Sequence, residues 1–219
     1  MKRFKALIIA ALMLSLLSGC SGRTASSHAD TTMSEHEQAA VIESLKSEWL
    51  PQADFDEWYY AITDLDHNGR CEVICASLQG TGLYTYIDIY ELSEDYSSLL
   101  PVSIDVGEGE SLIDIMVNSC KCYYDETADR YYYIFSDIIR NGMTEGFNYT
   151  EALSLKDGAV SIEILASSHT TADSSANAVT VYSLPDGSEI SEEEFNSAAA
   201  ERFTGCTETE YELNWMKAE

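Results

Sequence analysis

The chain has 219 residues, 38 acidic against 12 basic, with a formal net charge of −26 and 45% hydrophobic residues. That length and apolar content exclude wholesale disorder and allow one domain, or two small ones, with a core large enough to fold without staples. The charge excludes nucleic acid and an anionic lipid surface as direct partners, because phosphate contacts require clustered Lys and Arg.

The first twenty residues carry an address. Lys2, Arg3 and Lys5 precede the apolar run Ala6 to Leu17, which ends in Ser18-Gly19-Cys20. This is the order of a secretory signal peptide, residues 1–19. The Leu17-Ser18-Gly19-Cys20 ending resembles the bacterial lipobox, which implies that Cys20 becomes the acylated first residue of the mature chain. Each buried methylene of such an anchor contributes about 0.8 kcal/mol, enough for two or three acyl chains to hold a protein at a membrane its own surface avoids. Loss of the leader leaves 9 basic against 38 acidic residues, a net charge of −29. Residues 20–33, rich in Ser, Thr and Gly, read as a flexible tether. Residues 34–219 read as a single globular α+β domain.

Ser34 and Glu37 form a capping box, and Val41, Ile42, Leu45 and Trp49 follow one helical face until Pro51. One helix is expected, from about Ser34 to Leu50. Trp58 to Ile62 then begins a series of short runs rich in Tyr, Ile and Val, which is strand chemistry.

Between this run and the next lies Asp64-Leu65-Asp66-His67-Asn68-Gly69-Arg70-Cys71-Glu72. Asp64, Asp66, Asn68 and Glu72 stand at positions 1, 3, 5 and 9, Gly69 permits the sharp turn at position 6, and the Arg70 carbonyl offers a further oxygen. Alternate side chains of a curled loop point inward, so this spacing suits a hard cation. The segment resembles calcium loops of the D-x-D-x-[DN]-G class found in EF-hands, dockerins and β-type loops. Position 12 is Cys75, where an EF-hand requires a bidentate Glu, and the flanking runs are strands. A strand-loop-strand calcium site is therefore expected, with a plain Asp/Asn-Gly turn as the alternative.

Strands are expected at Cys71 to Ser77, Leu83 to Leu92, Cys120 to Asp125 and Arg130 to Ser136, the last two joined as a hairpin by the acidic turn Asp125 to Arg130. Tyr149 to Lys156 and Ala159 to Leu165 flank Asp157-Gly158, a pair that favours a type I′ turn because both residues tolerate positive φ. Val179 to Leu184 is a further strand. Ser191 and Glu194 form a second capping box ahead of a helix from about Glu192 to Phe203, which Gly205 stops. The fold class is thus an antiparallel β meander with a helix at either end.

Five cysteines remain after Cys20, so one stays unpaired. Cys71 and Cys75 would lie about 13 Å apart on a strand, too far to bridge. A bridge from Cys71 or Cys75 to Cys120 or Cys122 stays open beside buried free thiols. Tyr123, Tyr131 and Tyr133 form a candidate ligand face, since exposed tyrosines stack on sugars or anchor partners. None of the four histidines sits in a catalytic frame, and no nucleophile elbow, zincin motif or phosphate-binding glycine loop is present.

Taken together, the lipobox, the Asp-Leu-Asp-x-Asn-Gly loop and the Asp186 to Phe195 ending (Asp-Gly-x-Glu-Ile-Ser-x-x-Glu-Phe) resemble small lipoproteins of Gram-positive gut-type bacteria. The resemblance implies a chain anchored outside the cytoplasm, on the cell membrane, with a protein or glycan ligand. Two functions are expected as alternatives, a non-enzymatic calcium-stabilised interaction domain or a secreted carbohydrate-active protein using paired carboxylates. Mass spectrometry of the mature protein should find an acylated Cys20 at its N-terminus, and Cys20→Ala should release the protein from the membrane fraction. An intact Met1 terminus overturns the lipobox expectation.

Overall fold

The computed structural model describes residues 33–51, 57–79, 84–105, 114–173 and 177–218. The expected leader, Cys20 and all but the last residue of the expected tether lie outside them. Helix α1 (Glu35–Ser44) starts at the expected capping box: Ser34 Oγ accepts from Glu37 N, and the Glu37 carboxylate accepts from Ser34 N at 2.9 Å. The expected single helix breaks at Leu45 into a second, short helix, α2 (Lys46–Trp49). A buried indole accompanies the break. Trp49 Nε1 donates to the Ile42 carbonyl at 2.8 Å, and Leu45 N closes on that same carbonyl at 3.1 Å in a tightened last turn.

Thirteen strands follow among the described residues: β1 (Tyr59–Thr63), β2 (Glu72–Gln79), β3 (Tyr84–Leu92), β4 (Leu99–Pro101), β5 (Ser103–Asp105), β6 (Ser119–Asp125), β7 (Arg130–Asn141), β8 (Glu145–Lys156), β9 (Ala159–Ala172), β10 (Ala178–Ser183), β11 (Glu189–Ile190), then helix α3 (Glu192–Arg202), β12 (Thr207–Glu212) and β13 (Met216–Lys217). They form a five-stranded sheet in the order β13-β1-β2-β3-β4 and an eight-stranded sheet in the order β11-β10-β9-β8-β7-β6-β12 with β5 added beside β9. The α+β class and the antiparallel meander are as the sequence indicates.

Period-two alternation explains the layers. On β2, Ile74 and Ala76 face the larger sheet and join Ile87, Ile89, Tyr133, Phe135, Leu153 and Leu155 in the main core. Cys71, Val73 and Cys75 face the opposite way and pack with Ile42 and Trp49 of the first helices. On the far side of the larger sheet, Phe195, Ala198 and Phe203 of the α3 region cover Tyr123, Ala152 and Leu165. The helices thus sit on the outer faces of two different sheets, giving the layer order helix, sheet, sheet, helix.

This arrangement corrects several expectations. The described cysteines Cys71, Cys75, Cys120, Cys122 and Cys206 are all free thiols. A bridge from Cys71 or Cys75 to Cys120 or Cys122 is impossible because the first pair faces the helices and the second faces the inter-sheet core. One strand pair, β5 with β9, is parallel. The chain also continues past α3: β12 edges the larger sheet and β13 the smaller, with buried Leu213 between them in the core. The exposed Thr-Glu-Thr-Glu run of β12 has no apolar alternation to announce it.

The β8–β9 hairpin has the expected register, Lys156 opposite Ala159, with Asp157 at φ 53° and Gly158 at φ 72°. A Cβ at Gly158 would meet nothing within 4 Å, so the cost of a side chain there is conformational. Gly158→Val should therefore destabilise the fold by about 1–2 kcal/mol, the cost of a left-handed residue with a branched Cβ. A lowered urea midpoint with an unchanged slope checks it.

Candidate metal centre

The loop between β1 and β2 curls on its own carboxylates. Asp64 Oδ1 accepts from Asn68 N at 3.1 Å, Asp64 Oδ2 from Gly69 N at 2.9 Å, and Asp66 Oδ1 from Asn68 N at 3.2 Å. These are the turn-forming bonds that Asp offers its own backbone. Residues His67 and Gly69, at φ 56° and 89°, supply the left-handed corners. The loop is also held from outside. Tyr133 of β7 donates to the Leu65 carbonyl at 2.6 Å, and Tyr211 of β12 donates to the Asp64 carbonyl at 3.2 Å. From α1, the Gln38 amide, 1% exposed, donates to the Gly69 carbonyl at 2.8 Å and accepts from Cys71 N at 2.8 Å.

Curling brings Asp64, Asp66 and Glu72 together, with one carboxylate oxygen from each lying within 4.8 Å of the others. Asp64 and Asp66 are half-buried; Glu72 is fully buried. The reason is strand alternation. Glu72 shares the inward face of β2 with Ile74 and Ala76, and the inter-sheet core closes over it. One of its oxygens accepts from Leu65 N at 2.6 Å; the other, Oε1, is buried with no hydrogen-bond partner among the described residues. Burial, assisted by the neighbouring charges of Asp66, Asp64 and Glu91, pushes the Glu72 carboxyl up to about 9. Burial likewise raises the Asp66 carboxyl, against the lowering effect of the Asn68 backbone N–H.

A fourth carboxylate, Glu91 on β3, stands directly opposite Glu72 in the ladder. Like charges at such a position repel. Glu91 is neutralised by Arg70, whose Nε donates to its Oε1 at 3.0 Å and whose Nη2 forms an ion pair with the same oxygen. Asn68 Nδ2 adds a bond of 2.7 Å to Glu91 and one of 3.0 Å to Asp66 Oδ2. Glu72 has no such cation among the described residues.

Of the five expected ligands, three carboxylates therefore converge. Asn68 is close by, but its side-chain oxygen accepts from Arg70 N at 2.8 Å, so the amide braces the turn. The donor set is oxygen alone: Cys71 is buried on the helix-facing side of the strand, and His67 stacks on Tyr131 at 3.8 Å. Hard oxygen donors fit a hard divalent cation and leave no soft ligand for a transition metal. Beside the loop lies a cleft of about 630 Å³, lined by Asp66, Asn68, Arg70, Glu91, Tyr131 and the Asp157-Gly158 turn.

The expected tyrosine face does not form. Tyr123 is buried under Phe203 at 5.1 Å, and Tyr133 is buried in the core on the opposite face of the larger sheet. Tyr131 is half-buried and stacks on Tyr124 at 4.6 Å as well as on His67. Antiparallel pairing of β6 with β7 turned these rings toward one another and toward both covered faces. What the sequence did not signal is the support around the loop, Gln38, Glu91, Tyr133 and Tyr211, which comes from four distant elements. A search of family models, of curated proteins and of solved structures returns no match to this chain.

The raised Glu72 carboxyl sets a pH dependence for the metal-free protein. A group whose acidity is weakened by folding contributes stability that is fully present below its unfolded value, 4.5, and is lost as pH rises toward its folded value. The chelated protein should thus melt progressively lower between pH 5 and pH 8.5, by several degrees. Carboxylates that folding makes more acidic, such as Glu37 and Glu57, act below this window. Glu72→Gln should flatten the slope, as thermal melts in chelator across that range would register.

Proposed function

We propose that this chain is a lipid-anchored extracytoplasmic domain whose Asp64–Glu72 loop is closed by one structural calcium ion, and that it serves as an interaction module. The observation that carries the metal reading is the buried Glu72 carboxylate, with one oxygen lacking a hydrogen-bond partner among the described residues, inside a cluster of three carboxylates. An ion there replaces the missing positive charge, and the two Asp residues, the Arg70 carbonyl and the Asn68 side chain are within the same short loop. Calcium is favoured over magnesium because it accepts irregular shells of six to eight oxygens, carbonyls included, whereas magnesium requires a near-ideal octahedron.

The lipid anchor rests on the Leu17-Ser18-Gly19-Cys20 sequence. An interaction role is supported by the cleft beside the loop, whose mixed wall of carboxylates, amide, guanidinium and tyrosine offers hydrogen bonds to a polar ligand. Closing the loop with calcium would fix one wall of that cleft, since Asp66 and Asn68 belong to both.

For sites of extracellular type the dissociation constant is on the order of 10⁻⁴ to 10⁻³ M. Calcium at ten times that constant adds roughly RT ln 11, about 1.4 kcal/mol, by mass action. The melting temperature should rise by roughly 3–5 °C with calcium relative to chelator, and Asp66→Ala should lose that rise while remaining folded. Identical melts of both proteins in calcium and in chelator would make the loop a turn and no more.

A further inference from the structure

The best-connected residue behind the loop is Gln38, which is not among the expected ligands and lies 26 residues before the first of them. Its amide is 1% exposed and fully engaged: Nε2 donates to the Met33 carbonyl at 3.0 Å and to the Gly69 carbonyl at 2.8 Å, while Oε1 accepts from Cys71 N at 2.8 Å. A buried glutamine in a helix costs desolvation unless each group finds a partner. Here the partners are the Met33 carbonyl and the two peptide units that flank Arg70.

Peptide geometry gives this contact a direction. The described backbone has no cis bonds. In a trans peptide the N–H and C=O of one unit point in opposite directions. The N–H of Cys71 and the carbonyl of Arg70 belong to the same unit, so a Cys71 N–H held toward Gln38 turns the Arg70 carbonyl oxygen away from α1. The preceding unit runs the other way. Its Gly69 carbonyl faces Gln38, and its Arg70 N–H points away, where it donates to Asn68 Oδ1 at 2.8 Å. One side chain therefore sets both peptide planes around the backbone ligand that the loop spacing calls for. Donation from Cys71 N–H also polarises that unit and makes its carbonyl a better cation ligand.

We infer that Gln38 is the positioning residue of the loop's backbone ligand and that through it calcium uptake is coupled to docking of helix α1, an inference that rests on the calcium reading above. The coupling has a structural path. Gln38 and Ile42 are the buried residues of α1, and Ile42 packs with Cys71 and Val73 at the start of β2, next to the loop. Coupling is reciprocal: whatever factor the docked helix contributes to calcium affinity, calcium returns to helix docking. Since α1 is the first element after the expected tether, the ion would fasten the end of the domain nearest the anchor.

The test uses the detergent-solubilised full chain. Calorimetric titration with calcium chloride at fixed pH compares wild type, Gln38→Met and Asp66→Ala, and amide hydrogen exchange of residues 35–44 is followed in wild type with calcium and with chelator. Gln38→Met keeps length and apolar bulk while removing all three hydrogen bonds. It should weaken calcium binding about ten- to hundred-fold, the usual effect of losing a group that orients a ligand, and calcium should slow exchange across α1 in wild type. A merely structural role would lower the melting temperature equally with and without calcium and leave affinity alone. Unchanged affinity in Gln38→Met, or α1 exchange indifferent to calcium in wild type, overturns the inference and leaves the calcium reading standing. Wild type that takes up no calcium overturns both. If Gln38→Met does not fold, the wild-type exchange experiment decides alone.

Discussion

The rest of the structure depends on one buried carboxylate. Glu72 occupies an inward position of β2, in line with Ile74 and Ala76, where alternation calls for an apolar side chain. An ionised carboxylate without a partner in such a place is costly, and it either takes a proton or recruits a cation. Asp64 and Asp66 converge on it, Glu91 faces it across the ladder, and among the described residues only Glu91 of these carboxylates is paired with a guanidinium. The loop, the two tyrosines that grip its carbonyls and the helix that grips its far end all surround this buried carboxyl group.

Layering explains why the loop is so firmly held. It emerges at the edge of the inter-sheet core, so the larger sheet reaches it through Tyr133 and Tyr211, while the helix on the outer face of the smaller sheet reaches it through Gln38. Three elements far apart in sequence thus hold these nine residues. A loop with its carbonyls already oriented loses less conformational freedom when it closes on a ligand, and affinity gains accordingly. The same frame positions Asp66 and Asn68 at the wall of the neighbouring cleft.

Much of this was legible along the chain because it is local. Capping boxes at Ser34 and Ser191, the Asp157-Gly158 turn and the convergence of the loop's carboxylates at positions 1, 3 and 9 depend on residues within a few positions of one another, and each stands where the pattern indicated; Asn68, at position 5, braces the turn instead. Illegible parts depend on which faces meet. Whether Tyr123 and Tyr133 were exposed could not be read from strand chemistry, because a second sheet and α3 cover opposite faces of the same meander. The choice between a cysteine bridge and buried free thiols turned on the same question of faces, and Gln38 gave no signal because its three hydrogen bonds end on backbone atoms, which no side-chain pattern records. Strand β12 was hidden by its own polarity: an edge strand with charged side chains protects itself from pairing and looks like loop.

The identity of residue 72 carries the argument one step further. An apolar side chain at this position would fill the inter-sheet space with no desolvation cost, and replacing buried charge by well-packed hydrophobic groups is often neutral or stabilising. A glutamate there makes stability conditional on what neutralises it: a proton at low pH, or a cation at the pH where its neighbours are ionised. With a net charge of −26 spread over the chain, divalent cations are concentrated at the surface and are the natural neutralising agent. The acidic composition and the buried carboxylate then form one device. On the calcium reading proposed above, the surface would gather the ion, the Asp64–Glu72 loop would capture it, and Gln38 would carry the consequence to the helix that leads toward the expected anchor.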